Sequence, residues 1–250
     1  MSILAVNGLA KSFGGVRAVE RVSFSLAPGE LLAMIGPNGA GKSTCFNLIN
    51  GQLRPDAGEI RFEEKEIQRL APRDRCRLGI GRTFQVAATF GSMTVRENVQ
   101  LAVVSSERGL NSLFSSFDGT SRGKAKEILE QVGMDAQASE PCAELAYGDL
   151  KRVELAVALA ARPRLLLMDE PTAGMAPAER HALMDLVKEI SRQSKLAVLF
   201  TEHDMDVVFG YADRVIVLAE GELIAQGAPA AVRADARVRR VYLGEEAAHA

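Results

Sequence analysis

The stretch Gly36-Pro37-Asn38-Gly39-Ala40-Gly41-Lys42-Ser43-Thr44 decides the fold, because it has the pattern of a phosphate-binding loop. An apolar run typical of a buried strand, 31–35, precedes it, and a run typical of a helix, 45–49, follows it. The glycines allow backbone N–H groups to surround phosphate oxygens, and the dipole of the following helix favours negative charge. The sequence therefore predicts a nucleotide site in a strand–loop–helix unit.

Two acidic residues follow a second apolar run, 165–168, which is typical of a buried strand. Asp169, at the carboxyl end of that strand, is placed to hold Mg²⁺ through its water shell, with the Ser43 hydroxyl as a direct ligand. Glu170 is placed to polarise an attacking water, either as a general base or by orienting it. Lys42 is expected to reach the β- and γ-phosphates. Together these residues predict a nucleotide triphosphatase.

The composition indicates a globular protein of one large domain or two small ones, with 250 residues of which 47% are apolar. With a net charge of −2, there is no basic excess that would indicate nucleic acid as a standing partner. Cys45, Cys76 and Cys142 have no CxxC spacing, which suits a reducing cytosol. We expect neither a signal peptide nor a membrane-spanning segment, since the apolar runs are too short. Any membrane attachment then depends on a partner.

The order of elements predicts an α/β fold, namely a P-loop NTPase (RecA-like) core with an antiparallel β layer and an inserted helical subdomain. The core is expected from residues 1–86 and 156–250, and the helical subdomain from 87–155. The expected strands are 3–7, 19–26, 31–35, 58–62, 165–168, 197–201, and a hairpin of 214–219 with 222–226. The expected helices are 124–132, 150–161 and 182–190.

The stretch Leu145-Ala146-Tyr147-Gly148-Asp149 resembles the signature motif, LSGGQ, of ABC-transporter ATPases. Further motifs resemble that family in order: Gln85 the Q-loop, 173–177 the D-loop, and His203 the switch histidine. The resemblance implies ATP and Mg²⁺ as cofactors, with Ser43, Gln85 and Asp169 at the metal and Glu170 and His203 in catalysis. It implies that Phe13 stacks on adenine and that the whole loop 36–44 binds the nucleotide. The loop residues are Gly36, Pro37, Asn38, Gly39, Ala40, Gly41, Lys42, Ser43 and Thr44.

Within that family, three features resemble the ATP-binding subunit of high-affinity branched-chain amino-acid importers. They are LAYGD at the signature, DEPTAGMAP at 169–177, and the tail between 226 and 245. The resemblance implies two transmembrane permease subunits, a second ATPase subunit and, indirectly, a periplasmic solute-binding protein as partners, without nucleic acid. It places the chain peripherally on the cytoplasmic face of the bacterial inner membrane.

The family's ATP sits between two ATPase subunits, so Ala146, Tyr147, Gly148 and Asp149 are expected to face the partner's ATP. Ala146 lacks the usual Ser hydroxyl, Tyr147 replaces a Gly, and Asp149 replaces a Gln and adds negative charge near an anion. Gly148 is therefore the most secure contact of the four. Ala176 stands where the D-loop usually has Asp. We expect a heterodimer, in which the second ATPase lends a full signature to this chain's phosphate loop.

Other hypotheses stay open from the sequence. They are the ATPase of a different ABC system (urea or amide import, or lipopolysaccharide export), a soluble nucleotide-gated ABC protein, and a plain P-loop kinase or GTPase. The last does not explain the signature or His203. His181 and His249 are interpreted as solvated, and the basic residues Arg233, Arg237, Arg239 and Arg240 as a helix face. Phe84, Phe90 and Met93 are apolar candidates for a groove that receives a permease helix.

Overall fold

The computed structural model describes residues 2–83, 89–108 and 119–241. Its first layer is an antiparallel sheet of four strands in the order β2-β1-β4-β5. These are β1 (Leu4–Phe13), β2 (Val16–Leu26), β4 (Ala57–Phe62) and β5 (Lys65–Glu66). In β2, Val22, Phe24 and Leu26 are buried and the residues between them exposed, as expected for a strand with one face on the core. The first two strands are longer than predicted, because they pair as far as the hairpin where Phe13 opposes Val16.

The second layer is a six-stranded sheet in the order β10-β9-β3-β8-β7-β6. Its strands are β3 (Leu31–Ile35), β6 (Ile80–Arg82), β7 (Leu165–Asp169), β8 (Ala197–Thr201), β9 (Arg214–Ala219) and β10 (Glu222–Gly227). All neighbours are parallel except β9 and β10, which form the predicted hairpin. Every residue of β3, β7 and β8 is buried, which explains their uninterrupted apolar sequences. Their carboxyl ends therefore meet at one edge of the sheet.

Some helices pack on this sheet, whereas others pack on one another. These helices are α1 (Lys42–Asn50), α2 (Pro72–Leu78), α3 (Val95–Arg108), α4 (Gly119–Val132), α5 (Tyr147–Leu159), α6 (Pro177–Ser194), α7 (Met205–Tyr211) and α8 (Pro229–Ala234). One apolar cluster joins Val99 of α3 and Leu129 of α4 to Phe200 in the sheet. The boundary expected between 155 and 156 falls inside α5, which contacts both α3 and α6. Among the described residues, none of the helices combines the length and apolarity that a bilayer crossing requires.

Two sequence interpretations need correction. The helix expected at 150–161 runs over Tyr147–Leu159, because Ala146 is extended and the next three residues already form the first turn. The four arginines expected on one helix face are split between two segments. Arg233 lies in α8, the others lie in helical segment 236–241, and the extended Asp235 separates them. The other two predicted helices are confirmed but longer, as α4 and α6.

Candidate nucleotide site

The phosphate loop joins β3 to α1 and needs glycine at both of its ends. A Cβ atom on Gly36 would lie 2.2 Å from the carbonyl oxygen of Leu218, and one on Gly41 2.3 Å from that of Ala18. Gly41 also has a φ of 99°, in the left-handed region, directly before α1. Only glycine at these two positions therefore allows the backbone to curl tightly enough to direct its N–H groups inward.

Lys42 is a buried cation within this loop, with 7% of its surface exposed. Its Nζ donates to the carbonyl oxygens of Gly36 at 2.6 Å and Pro37 at 3.0 Å. Ser43 follows in the first turn of α1 and is exposed. The loop thus combines a positive charge, a helix N-terminus and an accessible hydroxyl, which together suit a phosphate anion.

Asp169 ends β7, and both of its carboxylate oxygens are held. Oδ1 accepts from the Thr201 hydroxyl at 2.7 Å, and Oδ2 accepts from Arg82 Nη2 at 3.3 Å. Arg82 also donates to Asn47 Oδ1 of α1 at 2.8 Å and so bridges the phosphate-loop helix to β7. The sequence analysis did not single out Arg82 or Thr201. Each is the last residue of a strand adjacent to β7, and this strand-end position is the feature of the sequence that could have identified them.

Glu170 and His203 lie side by side, with 3.1 Å between Glu170 Oε1 and His203 Nε2. Glu170 has a φ of 48°, a left-handed conformation that costs a non-glycine residue about 1–2 kcal/mol. Its backbone N–H compensates by donating to the carbonyl oxygen and the hydroxyl of Thr201, at 3.2 Å and 3.1 Å. Thr201 therefore orders both acids, and the two residues predicted for catalysis share one location.

The donor set fits Mg²⁺ bound together with nucleotide. Among the residues that the structure describes, no group of three or more His, Cys, Asp and Glu side chains forms a metal cage. Magnesium characteristically uses one or two protein carboxylates, hydroxyls, waters and the substrate phosphates, so the Ser43 hydroxyl as a ligand and Asp169 acting through bound water suit it. Gln85, the third predicted ligand, lies outside the described residues.

Phe13 lies at the end of β1 in the hairpin that adjoins the phosphate loop. Its ring is 47% exposed, and Lys11 Nζ lies 5.5 Å from the ring centroid. The hairpin is adjacent because Gly41 packs against the Ala18 carbonyl in β2. An exposed aromatic beside a phosphate loop is suited to stacking on a nucleobase.

The signature residues form the N-terminus of α5, where they contact the D-loop of the same chain. Ala146 precedes the helix without a side-chain cap, and Asp149 lies in the first turn. The Tyr147 hydroxyl donates to the carbonyl oxygen of Ala173 at 3.1 Å, while Gly148 is buried against Glu179. Tyr147 is 48% exposed, so this end of the helix faces outward.

A phosphate loop at the edge of a parallel sheet, beside an acidic pair and a histidine, defines a P-loop nucleotide-binding protein. A family model for ABC transporters matches residues 19–173, and a second, for branched-chain amino acid ATP-binding cassette transporters, matches 222–248. The chain belongs to the ATP-binding subunits of ABC transporters, within the group of branched-chain amino acid transport ATP-binding proteins. This identification excludes the kinase and GTPase hypotheses.

Individual relatives match along nearly their whole length. LivG, a high-affinity branched-chain amino acid transport ATP-binding protein of Salmonella typhimurium, is 38% identical over 97% of this chain and 98% of its own. BraF of Pseudomonas aeruginosa is 37% identical with the same coverage. A crystal structure of an ABC-transporter cassette in its ADP conformation has a TM-score of 0.88 at 35% identity, covering 98% of this chain and 99% of that one. A crystal structure of a nucleotide-free ABC-transporter cassette has a TM-score of 0.87, also at 35% identity, and the match covers 97% of this chain and 99% of that one.

Proposed function

We propose that this chain hydrolyses ATP with Mg²⁺ and thereby energises the import of branched-chain amino acids. The observation that carries the proposal is the Glu170–His203 contact of 3.1 Å beside the doubly held Asp169. This places a carboxylate and an imidazole at the edge of the sheet where the phosphate loop lies. The substrate is inferred from the family group, since relatives are named for branched-chain amino acid transport.

The chemistry follows from the placement of each group. The loop N–H groups and Lys42 bind the phosphates, while Ser43 and Asp169 would hold Mg²⁺, which would supply positive charge to stabilise the phosphates. Glu170 orients a water for attack on the γ-phosphorus and accepts its proton, and the bond to the β,γ-bridging oxygen breaks to give ADP and phosphate. His203 fixes the Glu170 carboxylate and adds a polar group beside the transferred phosphoryl.

Two exposed features of the chain support the partners that the family implies. The exposed N-terminus of α5, with Tyr147, is offered to the ATP of a second ATPase subunit. Phe90 is 56% exposed, in a loop that Asn98 fixes by accepting from the Phe90 N–H and donating to the carbonyl oxygens of Phe90 and Met93. A rigid exposed aromatic suits docking to a permease helix. We infer a peripheral subunit on the cytoplasmic face of the inner membrane.

The docking surface can be tested at Phe90. Phe90→Glu places a charge on an apolar contact, so we expect amino-acid uptake by the assembled transporter to fall about tenfold or more. ATP binding by the purified chain should stay unchanged. Phe90→Leu is the matched control, because it keeps an apolar side chain. Normal uptake by Phe90→Glu would place the permease contact elsewhere.

The function itself can be tested by reconstituting the chain with its permeases, second ATPase and binding protein in vesicles. Uptake of leucine, urea and a short amide is compared for wild type and Lys42→Ala. We expect ATP-dependent leucine uptake by wild type and its loss in the variant, since a phosphate-binding charge is deleted. Uptake of urea or the amide instead would assign the chain to a different importer, and uptake unaffected by Lys42→Ala would exclude this chain as the energising subunit.

A further inference from the structure

Glu202 is a buried carboxylate directly beyond β8, and only 4% of its surface is exposed. Oε1 accepts from the backbone N–H of Thr172 at 2.8 Å and from its hydroxyl at 2.6 Å. Oε2 accepts from the backbone N–H of His203 at 3.1 Å. A buried carboxylate requires such donors, and these three come from two different segments of the chain. Glu202 therefore links the segment after Glu170 to the backbone of His203.

At the far end of this link, Thr172 directly precedes the D-loop, 173–177, and is 1% exposed. The carbonyl oxygen of Ala173, the first residue of the D-loop, accepts from Tyr147 of the signature. Near its other end, the Met175 carbonyl accepts from Arg180 Nε at 2.7 Å. The same guanidinium pairs with Asp204, the residue after His203. Through Thr172 and through Arg180, the D-loop is therefore linked to Glu202 and Asp204, the residues on either side of His203 in sequence.

We propose that Glu202 is a positioning residue for ATP hydrolysis, whose carboxylate couples the D-loop to His203 and so keeps the imidazole at Glu170. The inference rests on the proposed function, because it acts on that same site. Ala176 has no polar side chain, so this D-loop is connected to the site by the hydrogen bonds of Thr172 and by the contacts from Met175 through Arg180 to Asp204. A displacement of the D-loop at a partner surface is transmitted through Glu202 to the position of His203.

The test uses the assembled transporter with isosteric substitutions in this chain. In Glu202→Gln the amide oxygen can still accept from Thr172, but the amide nitrogen that faces His203 cannot accept its N–H. We expect kcat for ATP to fall about tenfold, equivalent to about 1.4 kcal/mol, with KM within about twofold of wild type. Thr172→Ser keeps both donors and should retain full activity. Glu189→Gln, on the exposed face of α6, controls for the lost charge.

A double-mutant cycle separates positioning from a general effect on the fold. In a His203→Ala background, measured by single-turnover hydrolysis, we expect Glu202→Gln to cause no further loss, because the group it positions is absent. A second tenfold loss there would overturn the inference, as would wild-type kcat in Glu202→Gln alone. If Glu202→Gln fails to fold, Thr172→Val carries the same test, since it removes only the hydroxyl donor. A wild-type transporter no more active than Lys42→Ala overturns the proposed function itself, a separate result.

Discussion

The phosphate-loop edge and the signature end of this chain are built in opposite ways. At the edge, buried residues such as Lys42 and Asp169 are held by hydrogen bonds from within the chain. At the signature end, Ala146 provides no cap, and the half-exposed Tyr147 makes its hydrogen bond to the Ala173 carbonyl. The edge is therefore held by contacts within this chain, whereas the signature end leaves Ala146 and Tyr147 exposed.

The two regions should tolerate different substitutions. A buried group that loses its partner bears the full cost of desolvation, while an exposed group can turn to water. Changes at the edge are therefore expected to have large effects on this chain alone. Changes at the signature end should have small effects on the chain and be felt mainly in the facing subunit.

The largest expected effect is at Gly41. Gly41→Ala forces a Cβ against the Ala18 carbonyl, so we expect ATP affinity to fall about 100-fold or more, measured by equilibrium binding. Gly39→Ala is the matched control, because its φ of 80° is also left-handed but no atom lies within 4 Å of the added Cβ. Strain of about 1 kcal/mol predicts roughly a fivefold loss there. Equal losses in both would mean that strain, and not close packing, requires glycine in this loop.

A smaller effect is expected at Arg82, which is 13% exposed and links Asp169 to α1. Arg82→Met keeps the apolar volume and removes the donors, leaving a buried carboxylate oxygen unpaired. Asp169 then loses a donor that holds it in position, so we expect the hydrolysis rate to fall about tenfold, equivalent to about 1.4 kcal/mol of transition-state stabilisation. Arg61→Met, which removes a more exposed ion pair with Glu59, should stay near wild type. Full activity in Arg82→Met would show that the phosphate-loop edge does not depend on Arg82.

The signature end predicts a weaker response. Tyr147→Phe deletes a half-exposed hydroxyl, so the free energy of unfolding should fall by about 0.5–1 kcal/mol in urea titrations. A loss above about 3 kcal/mol would show that the signature end is as tightly built as the edge, so the two regions would not differ in the way described.

The smallest response concerns thiol chemistry. Burial raises the pKa of Cys45, in α1, to about 12, so its thiol stays protonated up to about pH 11 and does not form the reactive thiolate. We expect iodoacetamide at pH 8–10 to label the exposed Cys76 and to spare Cys45 until urea unfolds the chain. The labelling of each cysteine is measured by mass spectrometry. If Cys45 in the folded chain were labelled as fast as Cys76, the edge would not be closed to solvent.

The sequence was informative where local pattern and structure coincide. The apolar runs of β3, β7 and β8 and the glycines of the loop predict the sheet edge, since a strand–loop–helix unit is a local structure. The helix bounds were less accurate, because the start of α5 depends on the conformation of Ala146 and not on periodicity. Arg82, Thr201 and Glu202 were not recognised as members of the site. Their contacts with Asp169 and Thr172 join residues distant in sequence, which the strand order β8-β7-β6 brings together.

We expect the phosphate-loop edge of this chain to carry most of the hydrolysis, because its signature, without the Ser hydroxyl and the Gln, serves the facing site less well. One charge-assisted hydrogen bond is worth roughly 1.5–3 kcal/mol, so the facing site should turn over about 10–100-fold more slowly.

The most direct measurement introduces the glutamate-to-glutamine change at Glu170 and, separately, at the corresponding glutamate of the second ATPase, in the full transporter. We predict a fall in steady-state ATPase of about 100-fold for Glu170→Gln, with ATP binding retained, and a much smaller fall for the change in the partner. Equal losses from the two substitutions would contradict the asymmetry, and full activity of a transporter assembled with two copies of this chain would contradict the mixed dimer.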